Sequence, residues 1–174
     1  MLRKNCNDKI NLSGIIEDSL VNGPGLRKVF FSQGCSHKCK NCFNPTTWPF
    51  SGGKLFLIKD LVNKVLSEPF LSGVTFSGGD PFQQADKFSI LAEMLHKNKI
   101  NIWAYTGYYY EELLAMSQKD NNIFRLLSSI DVLVDGPYID DQKDETLKYR
   151  GSKNQRIIDV VKSLKTKKIS LLNY

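Results

Sequence analysis

The chain of 174 residues is long enough for a buried core, and its 41% hydrophobic and 24% charged residues are typical of a globular protein. No run approaches the roughly 18 apolar residues of a membrane span, and residues 1–8 lack the apolar stretch of a secretory signal. The sequence therefore predicts a single domain, 1–174, in the cytoplasm. The net charge of +6 comes from dispersed Lys and Arg, so it is a weak indication of nucleic acid.

The first predicted elements lead into a cysteine-rich loop. Ile15 and Ile16 indicate a short strand, and residues 22–25, Asn-Gly-Pro-Gly, are turn sequence. Residues 27–32 are rich in β-branched and aromatic side chains, which predicts the strand that enters the loop. Cys6 stands apart from the loop, and we interpret it as a free thiol.

The loop at residues 34–45, hereafter the cysteine loop, reads Gly-Cys-Ser-His-Lys-Cys-Lys-Asn-Cys-Phe-Asn-Pro. Cys35, Cys39 and Cys42 follow the spacing C-x3-C-x2-C. Three thiolates on one short loop repel one another unless a cation binds them, and iron–sulfur clusters and zinc are the usual cations. Three cysteines on a four-iron cluster leave one iron open to a small molecule. Zinc needs a fourth ligand, which Cys6 or, less favourably placed, His37 could supply.

Beyond a predicted loop at 45–54, helices and strands alternate. Apolar periodicity predicts helices over 59–68, 83–98, 109–117 and 123–130. Apolar runs that end at glycine predict strands over 73–77, 100–106 and 131–135. After a polar loop at 140–154, the sequence predicts a helix over 156–164 and a terminal strand over 168–172.

This alternation indicates an α/β fold of parallel β/α units joined by crossover helices. A complete eight-unit barrel takes about 250 residues, so the chain could form only an incomplete TIM-like barrel. A doubly wound open sheet is the alternative, and periodicity does not separate the two.

Three motifs follow predicted strands and are therefore expected at one edge of the sheet, where ligands bind in parallel β/α folds. They are the cysteine loop, the segment Gly78-Gly79-Asp80-Pro81, and Asp135-Gly136-Pro137. Glycines without side chains allow backbone groups to approach a ligand closely. A tight turn is the alternative interpretation of the second motif, and a capping role is the alternative for Asp135.

The residues of the cysteine loop and of two further strings carry a family resemblance. C-S-H-K-C-K-N-C-F-N-P-T-T-W, G-G-D-P and R-G-S-K-N-Q-R (residues 150–156) resemble the activating enzymes of anaerobic ribonucleoside-triphosphate reductase, a family of radical S-adenosylmethionine (SAM) glycyl-radical activases. The motifs occur in the family's order over most of the chain. The resemblance favours the incomplete barrel, and it implies that the string at 150–156 covers the site or faces a partner.

The resemblance also implies cofactors and their residues. Cys35, Cys39 and Cys42 would hold a [4Fe–4S] cluster whose open iron binds SAM. Gly78, Gly79 and Asp80 would bind the methionine amino group, and Asn41 and Phe43 would lie against the adenosyl part. We count Asp135 among the cofactor-binding candidates as well.

As a function, the resemblance implies reductive cleavage of SAM and formation of a glycyl radical on the large subunit of the reductase. A flavodoxin-type donor would supply the electron, and neither nucleic acid nor membrane is expected as a partner. The nearer alternative is an activase of another glycyl-radical enzyme, or another small radical SAM enzyme. The distant alternative is a zinc-binding module that binds nucleic acid through its positive charge.

Overall fold

The computed structural model describes residues 8–174, and Cys6 lies outside these described residues. The strands are β1 Lys9–Ser19, β2 Arg27–Ser32, β3 Lys54–Leu57, β4 Gly73–Gly78, β5 Ile102–Tyr105, β6 Val132–Asp135 and β7 Arg156–Asp159. The α-helices are α1 Ile58–Leu66, α2 Ala85–Lys97, α3 Tyr110–Ser117, α4 Asn121–Ser129 and α5 Val160–Thr166. No helix within 8–174 has the length and apolar content to cross a membrane.

The strands form one seven-stranded sheet in the order β3-β1-β2-β4-β5-β6-β7. Its centre is parallel, because β2 pairs with β4, β4 with β5, and β5 with β6, all in the same direction. The flanking strands are antiparallel: β1 pairs with β2 and β3, and β7 pairs with β6. The α/β class with parallel units is thus confirmed, within a mixed sheet that has β3 and β7 at its edges.

The main core lies between the sheet and the helices. Alternate strand residues such as Phe30, Phe76 and Leu133 are fully buried on this face. The predicted apolar face of the second helix is confirmed, since Phe88 and Leu91 in α2 are 0% exposed. At roughly 25 cal/mol for each Å² of apolar surface removed from water, this burial is the main force that holds helices and sheet together.

The opposite face of the sheet carries a smaller cluster around Trp103, Val134 and Ile157, against which Tyr149 packs. Arg27 is buried beside it at 1% exposure, with its guanidinium 5.7 Å from the centre of the Trp103 ring. Burial lowers the pKa of Arg27 to about 10. Thr75 Oγ1 and the Val74 carbonyl accept hydrogen bonds from the guanidinium at 2.8 and 2.5 Å, which compensates for its desolvation.

Two predictions about secondary structure are wrong at the ends of the sheet. The helix predicted over 156–164 begins only at Val160, because Arg156–Asp159 instead pairs with β6. The predicted terminal strand at 168–172 is reduced to one bridge between Ile158 and Leu171. The edge strand β3 was not predicted. The predicted loop ends at Lys54, the first residue of β3, and no element was predicted for the rest of the strand.

Candidate functional site

The carboxyl ends of β2, β4, β5 and β6 surround one cavity of about 540 Å³. The segments that follow these strands all contribute to its wall: Cys35 after β2, Gly79 after β4, Thr106 after β5 and Gly136 after β6. The predicted coincidence of the motifs at one edge of the sheet is therefore confirmed. Parallel strands bring these chemically distinct segments together although they are far apart in sequence.

The three cysteines of the loop are free thiols that line this cavity. The loop is fixed at its base, because Gly34 N donates to the Thr47 carbonyl at 2.7 Å and Cys35 N to the Trp48 carbonyl at 3.0 Å. Burial raises the pKa of the Cys35 and Cys39 thiols, since a buried thiolate loses hydration. A bound cation would reverse this cost, because metal-bound thiols are deprotonated.

The three thiols border one common space, as the ligands of an iron–sulfur cluster do. Within residues 8–174, no group of three His, Cys, Asp or Glu side chains is arranged to hold one metal ion. A tetrahedral zinc site requires all its thiolates to converge on one point at about 2.3 Å. The cysteines of an iron–sulfur cluster instead bind separate irons, so they need only border a common space. Cys35, Cys39 and Cys42 meet that requirement.

The Gly78-Gly79 segment lies directly against the cysteine loop. Gly79 N donates to the Ser32 carbonyl at 2.8 Å, and Asp80 N donates to the Gly34 carbonyl at 2.9 Å. A Cβ on Gly79 would lie 2.3 Å from the Gly34 carbonyl oxygen, so only glycine allows this approach. Within the described chain no donor reaches the Gly79 carbonyl, which leaves this acceptor for a ligand in the cavity.

Asp80 is the centre of a hydrogen-bond network beneath the cavity. Its carboxylate is 1% exposed and accepts from Thr106 Oγ1 and Gly107 N, each at 2.9 Å, and from Phe82 N at 2.9 Å. His37 Nε2 lies 2.8 Å from Oδ2 of the same carboxylate. Both carboxylate oxygens of Asp80 thus accept hydrogen bonds from protein donors. Through these bonds the residue links the cysteine loop to the ends of β4 and β5.

The remaining candidates from the sequence divide into two groups. Phe43 lines the cavity and packs on Tyr138 with ring centres 4.9 Å apart. Asn41 and Asp135 are not among the lining residues. Asn41 Nδ2 instead donates to Asp140 at 2.7 Å, and the fully buried Asp135 accepts from Arg156 and from Tyr110 N. In the structure these two side chains contact protein partners, and contact of either with a cofactor stays a prediction.

Residues 136–155, hereafter the covering segment, form the outer wall of the cavity. Its lining residues include Leu147 and Tyr149 and, from the string at 150–156, Arg150, Gly151 and Gln155. The string therefore borders the cavity, which fits a segment that covers the site, and a role in facing a partner stays a prediction. Two side-chain bonds pin the ends of the segment together: Gln155 Nε2 donates to the Gly136 carbonyl at 3.1 Å, and Asn154 Nδ2 donates to the Pro137 carbonyl at 2.8 Å.

His37 is the site residue that the sequence did not predict in its actual role. We considered it only as a fourth zinc ligand, whereas its ring packs on Tyr108 with centres 4.4 Å apart and faces Asp80. No local pattern signals this contact, because the two partners are 43 residues apart in the chain.

Comparisons with known proteins agree with this geometry. A family model described as a 4Fe-4S single cluster domain matches residues 21–158. Proteins named anaerobic ribonucleoside-triphosphate reductase-activating protein are similar over most of their length. The one from Vibrio cholerae serotype O1 is 38% identical over 79% of this chain and 90% of its own length. The one from Enterobacteria phage T4 is 35% identical over 85% and 93%, and that of Escherichia coli K12 is 36% identical over 78% and 90%.

Proposed function

This chain belongs to the family of anaerobic ribonucleoside-triphosphate reductase-activating proteins, and from this premise we propose that it cleaves SAM reductively and generates a glycyl radical on its partner. The partner in this proposal is the large subunit of an anaerobic ribonucleoside-triphosphate reductase, which the names of the relatives imply. A flavodoxin-type protein would donate the electron. The proposal places this chemistry in the cytoplasm and on a single domain.

The cofactors are a [4Fe–4S] cluster and SAM. Together they would supply the chemistry of the reaction, which is one-electron reductive cleavage of a carbon–sulfur bond of SAM. Cys35, Cys39 and Cys42 would hold the cluster at the inner wall. The free carbonyl of Gly79 would accept from the amino group of SAM, and the exposed ring of Phe43 would lie against its adenosyl part.

Asp80 acts indirectly in this proposal. Its carboxylate is occupied by protein donors, so it orients the Gly78-Gly79 turn and the cysteine loop relative to each other. A buried acceptor with all its bonds made holds such an arrangement rigidly, because the loss of any bond leaves a desolvated charge unpaired. The residue thus fixes the distance between the cluster ligands and the amino-group acceptor.

The single observation that carries the proposal is the backbone contact between the cysteine loop and the Gly78-Gly79 segment at one cavity. Each motif alone has a structural interpretation: the cysteine loop could be a structural zinc site, and the Gly78-Gly79 segment could be a tight turn. Their direct contact supports the proposal, because a cluster on the cysteine loop would then lie beside an acceptor for the amino group of SAM. We further propose that the sheet is curved as an incomplete barrel, which would leave an open side for the partner's glycine loop.

Anaerobic reconstitution tests the proposal. Iron, sulfide and zinc would be quantified, and the reduced protein would be studied by EPR with and without SAM. We expect a cubane signal that changes when SAM is added, formation of 5′-deoxyadenosine, and a glycyl radical on the reductase. Bound zinc without iron or sulfide would contradict the proposal. A radical on a different glycyl-radical enzyme, but none on the reductase, would contradict the choice of partner.

Substitution of cysteines provides the matched comparison. We expect Cys39→Ala to abolish cleavage of SAM, because the cluster loses one of its three ligands from the loop. Cys6→Ala changes a cysteine outside the motif and should leave iron content and cleavage at the wild-type level. Retained cleavage in Cys39→Ala would show that the cluster is held elsewhere.

A further inference from the structure

Arg150 in the covering segment brings a positive charge to the cavity. The side chain is half-buried and lines the same space as the cysteines, Gly78 and Gly79. Among the described residues that line this cavity, Arg150 is the single Lys or Arg. Nothing in the roles derived above uses this guanidinium.

The guanidinium of Arg150 keeps most of its donors unused. Its Nη1 donates to the Gln155 carbonyl at 2.8 Å, and within residues 8–174 no carboxylate pairs with it. Two other described arginines differ in this respect. Arg125 pairs with Glu93 at 2.7 Å, and Arg156 pairs with Asp135 and Glu111.

The acid of the cavity does not neutralise Arg150. Asp80 is the one Asp or Glu among the described lining residues, and its oxygens already accept from His37, Thr106 and Gly107. A partly desolvated guanidinium without a counterion is costly, and it favours an anionic ligand that brings one. Its planar donors match the geometry of a carboxylate, which they can bind through two parallel hydrogen bonds.

We propose that Arg150 binds the carboxylate of the methionine part of SAM. This inference rests on the proposed function, which makes SAM the ligand of the cavity. The zwitterionic end of SAM would then be held from two sides, with its amino group at the Gly79 carbonyl and its carboxylate at Arg150. The covering segment would thereby contribute to recognition of the substrate as well as enclose it.

A binding experiment with two ligands tests the role of Arg150. Affinities of the reconstituted protein for SAM and for decarboxylated SAM would be measured by anaerobic equilibrium dialysis without reductant. Arg150→Gln removes the charge but keeps a donor for the Gln155 carbonyl, so the segment should stay in place. We expect it to weaken SAM binding by about tenfold to a hundredfold, the usual range for a hydrogen bond to a charged group. Binding of decarboxylated SAM should change by less than about twofold, since this ligand lacks the carboxylate.

Two further variants complete the test. Arg150→Lys keeps the charge and loses the two-pronged geometry, so its affinity for SAM should lie between those of the wild type and Arg150→Gln. Lys153→Gln removes a positive charge from the same segment, but its side chain is 67% exposed and pairs with Asp144, so both affinities should match the wild type.

Equal losses for the two ligands in Arg150→Gln, no loss for either, or the same losses in Lys153→Gln would overturn the assignment. These outcomes are separate from failure of the proposed function. A wild-type protein that neither binds nor cleaves SAM would refute the proposed function, whereas a cleaving enzyme with equal losses would refute only the role of Arg150.

Discussion

At the scale of single residues, the contact between His37 and Asp80 determines how the cysteine loop sits on the sheet. A Cβ on Gly107 would lie 2.5 Å from the His37 ring, so the imidazole packs directly against the backbone after β5. Its Nε2 meets a carboxylate that is 1% exposed. A hydrogen bond to a buried charge is worth about 1.5–3 kcal/mol, roughly twice that of a neutral bond.

The two histidines of the chain allow a matched test of this contact. His37→Ala should lower the free energy of unfolding by about 1–3 kcal/mol, because it leaves a buried oxygen of Asp80 with one donor fewer. It should also speed the loss of iron to a chelator, since the cysteine loop loses a tether. His96 is exposed at the end of α2, and His96→Ala should behave like the wild type in urea unfolding and chelation. Equal behaviour of the two variants would contradict the tethering role.

At the scale of secondary-structure elements, Arg156 joins three of them. From β7 its guanidinium binds Asp135 at the end of β6 and Glu111 in α3, and it lies 5.5 Å from the centre of the Tyr109 ring. Asp135 also accepts from Tyr110 N at 2.8 Å, at the start of α3. The carboxylate that the sequence suggested as a cofactor ligand therefore organises the elements behind the cavity wall.

The ion pair between Arg156 and the exposed Glu111 predicts a dependence of stability on pH. The hydrogen bond from Arg156 lowers the pKa of Glu111 below the usual glutamate value. The folded state thus favours the ionised form of Glu111. The stabilisation that this carboxylate gives the fold is complete above about pH 5 and is lost as the pH falls through the lowered pKa. Because Glu111 is 57% exposed, the contribution should stay below about 1 kcal/mol.

Urea unfolding of Glu111→Gln between pH 7 and pH 3.5 measures this contribution. The gap in unfolding free energy between the wild type and the variant should be constant near neutrality and shrink as the pH falls through the lowered pKa of Glu111, where the wild-type carboxylate becomes protonated. Asp141→Asn removes an exposed carboxylate that has no ion pair within residues 8–174, and it should show no such gap. A gap that widens in acid would refute the assignment.

The sequence predicted elements with strong local signals and missed elements that depend on distant partners. The helix α2 and the central strands were predicted because their apolar residues recur with the period of each structure. In β7, Ile157 and Ile158 also fit a helix, and pairing with β6 decided for the strand. The strand β3 is short and mostly exposed, so it offers no burial pattern; only its pairing with β1 defines it.

At the scale of the whole molecule, the same distinction applies to the site. Cysteine spacing and the paired glycines are local patterns that can be recognised in the sequence. Because the carboxyl ends of parallel strands share one edge of the sheet, the two motifs were correctly predicted to lie together. Asn41 was suggested by the family resemblance and Asp135 by its place at a strand end, and in the structure their side chains bind Asp140 and Arg156. Such choices depend on side-chain contacts between distant segments, which periodicity does not encode.

The protein should keep its fold without the cluster. The base of the cysteine loop is fixed by backbone bonds to Thr47 and Trp48, and its far side by Gln83, whose amide bonds Ser36. We therefore expect far-UV circular dichroism of the chelated protein to match that of the reconstituted protein. The melting temperature should fall by several degrees, because a ligand that binds only the folded state stabilises it. A random-coil spectrum after chelation, as in zinc fingers, would contradict this expectation.

The pinned ends of the covering segment have a consequence for how such a protein can diverge. Gln155 and Asn154 close the segment onto Gly136 and Pro137, and Tyr149 packs on Trp103 of the sheet, so the segment is held at both of these places. Lengthening a surface loop costs little free energy once its ends are fixed. Insertions between residues 141 and 146, which are mostly exposed, would therefore reshape the outer wall without disturbing the inner one. Evolution, or an engineer, could change what approaches the cavity while the chemistry inside it stays the same.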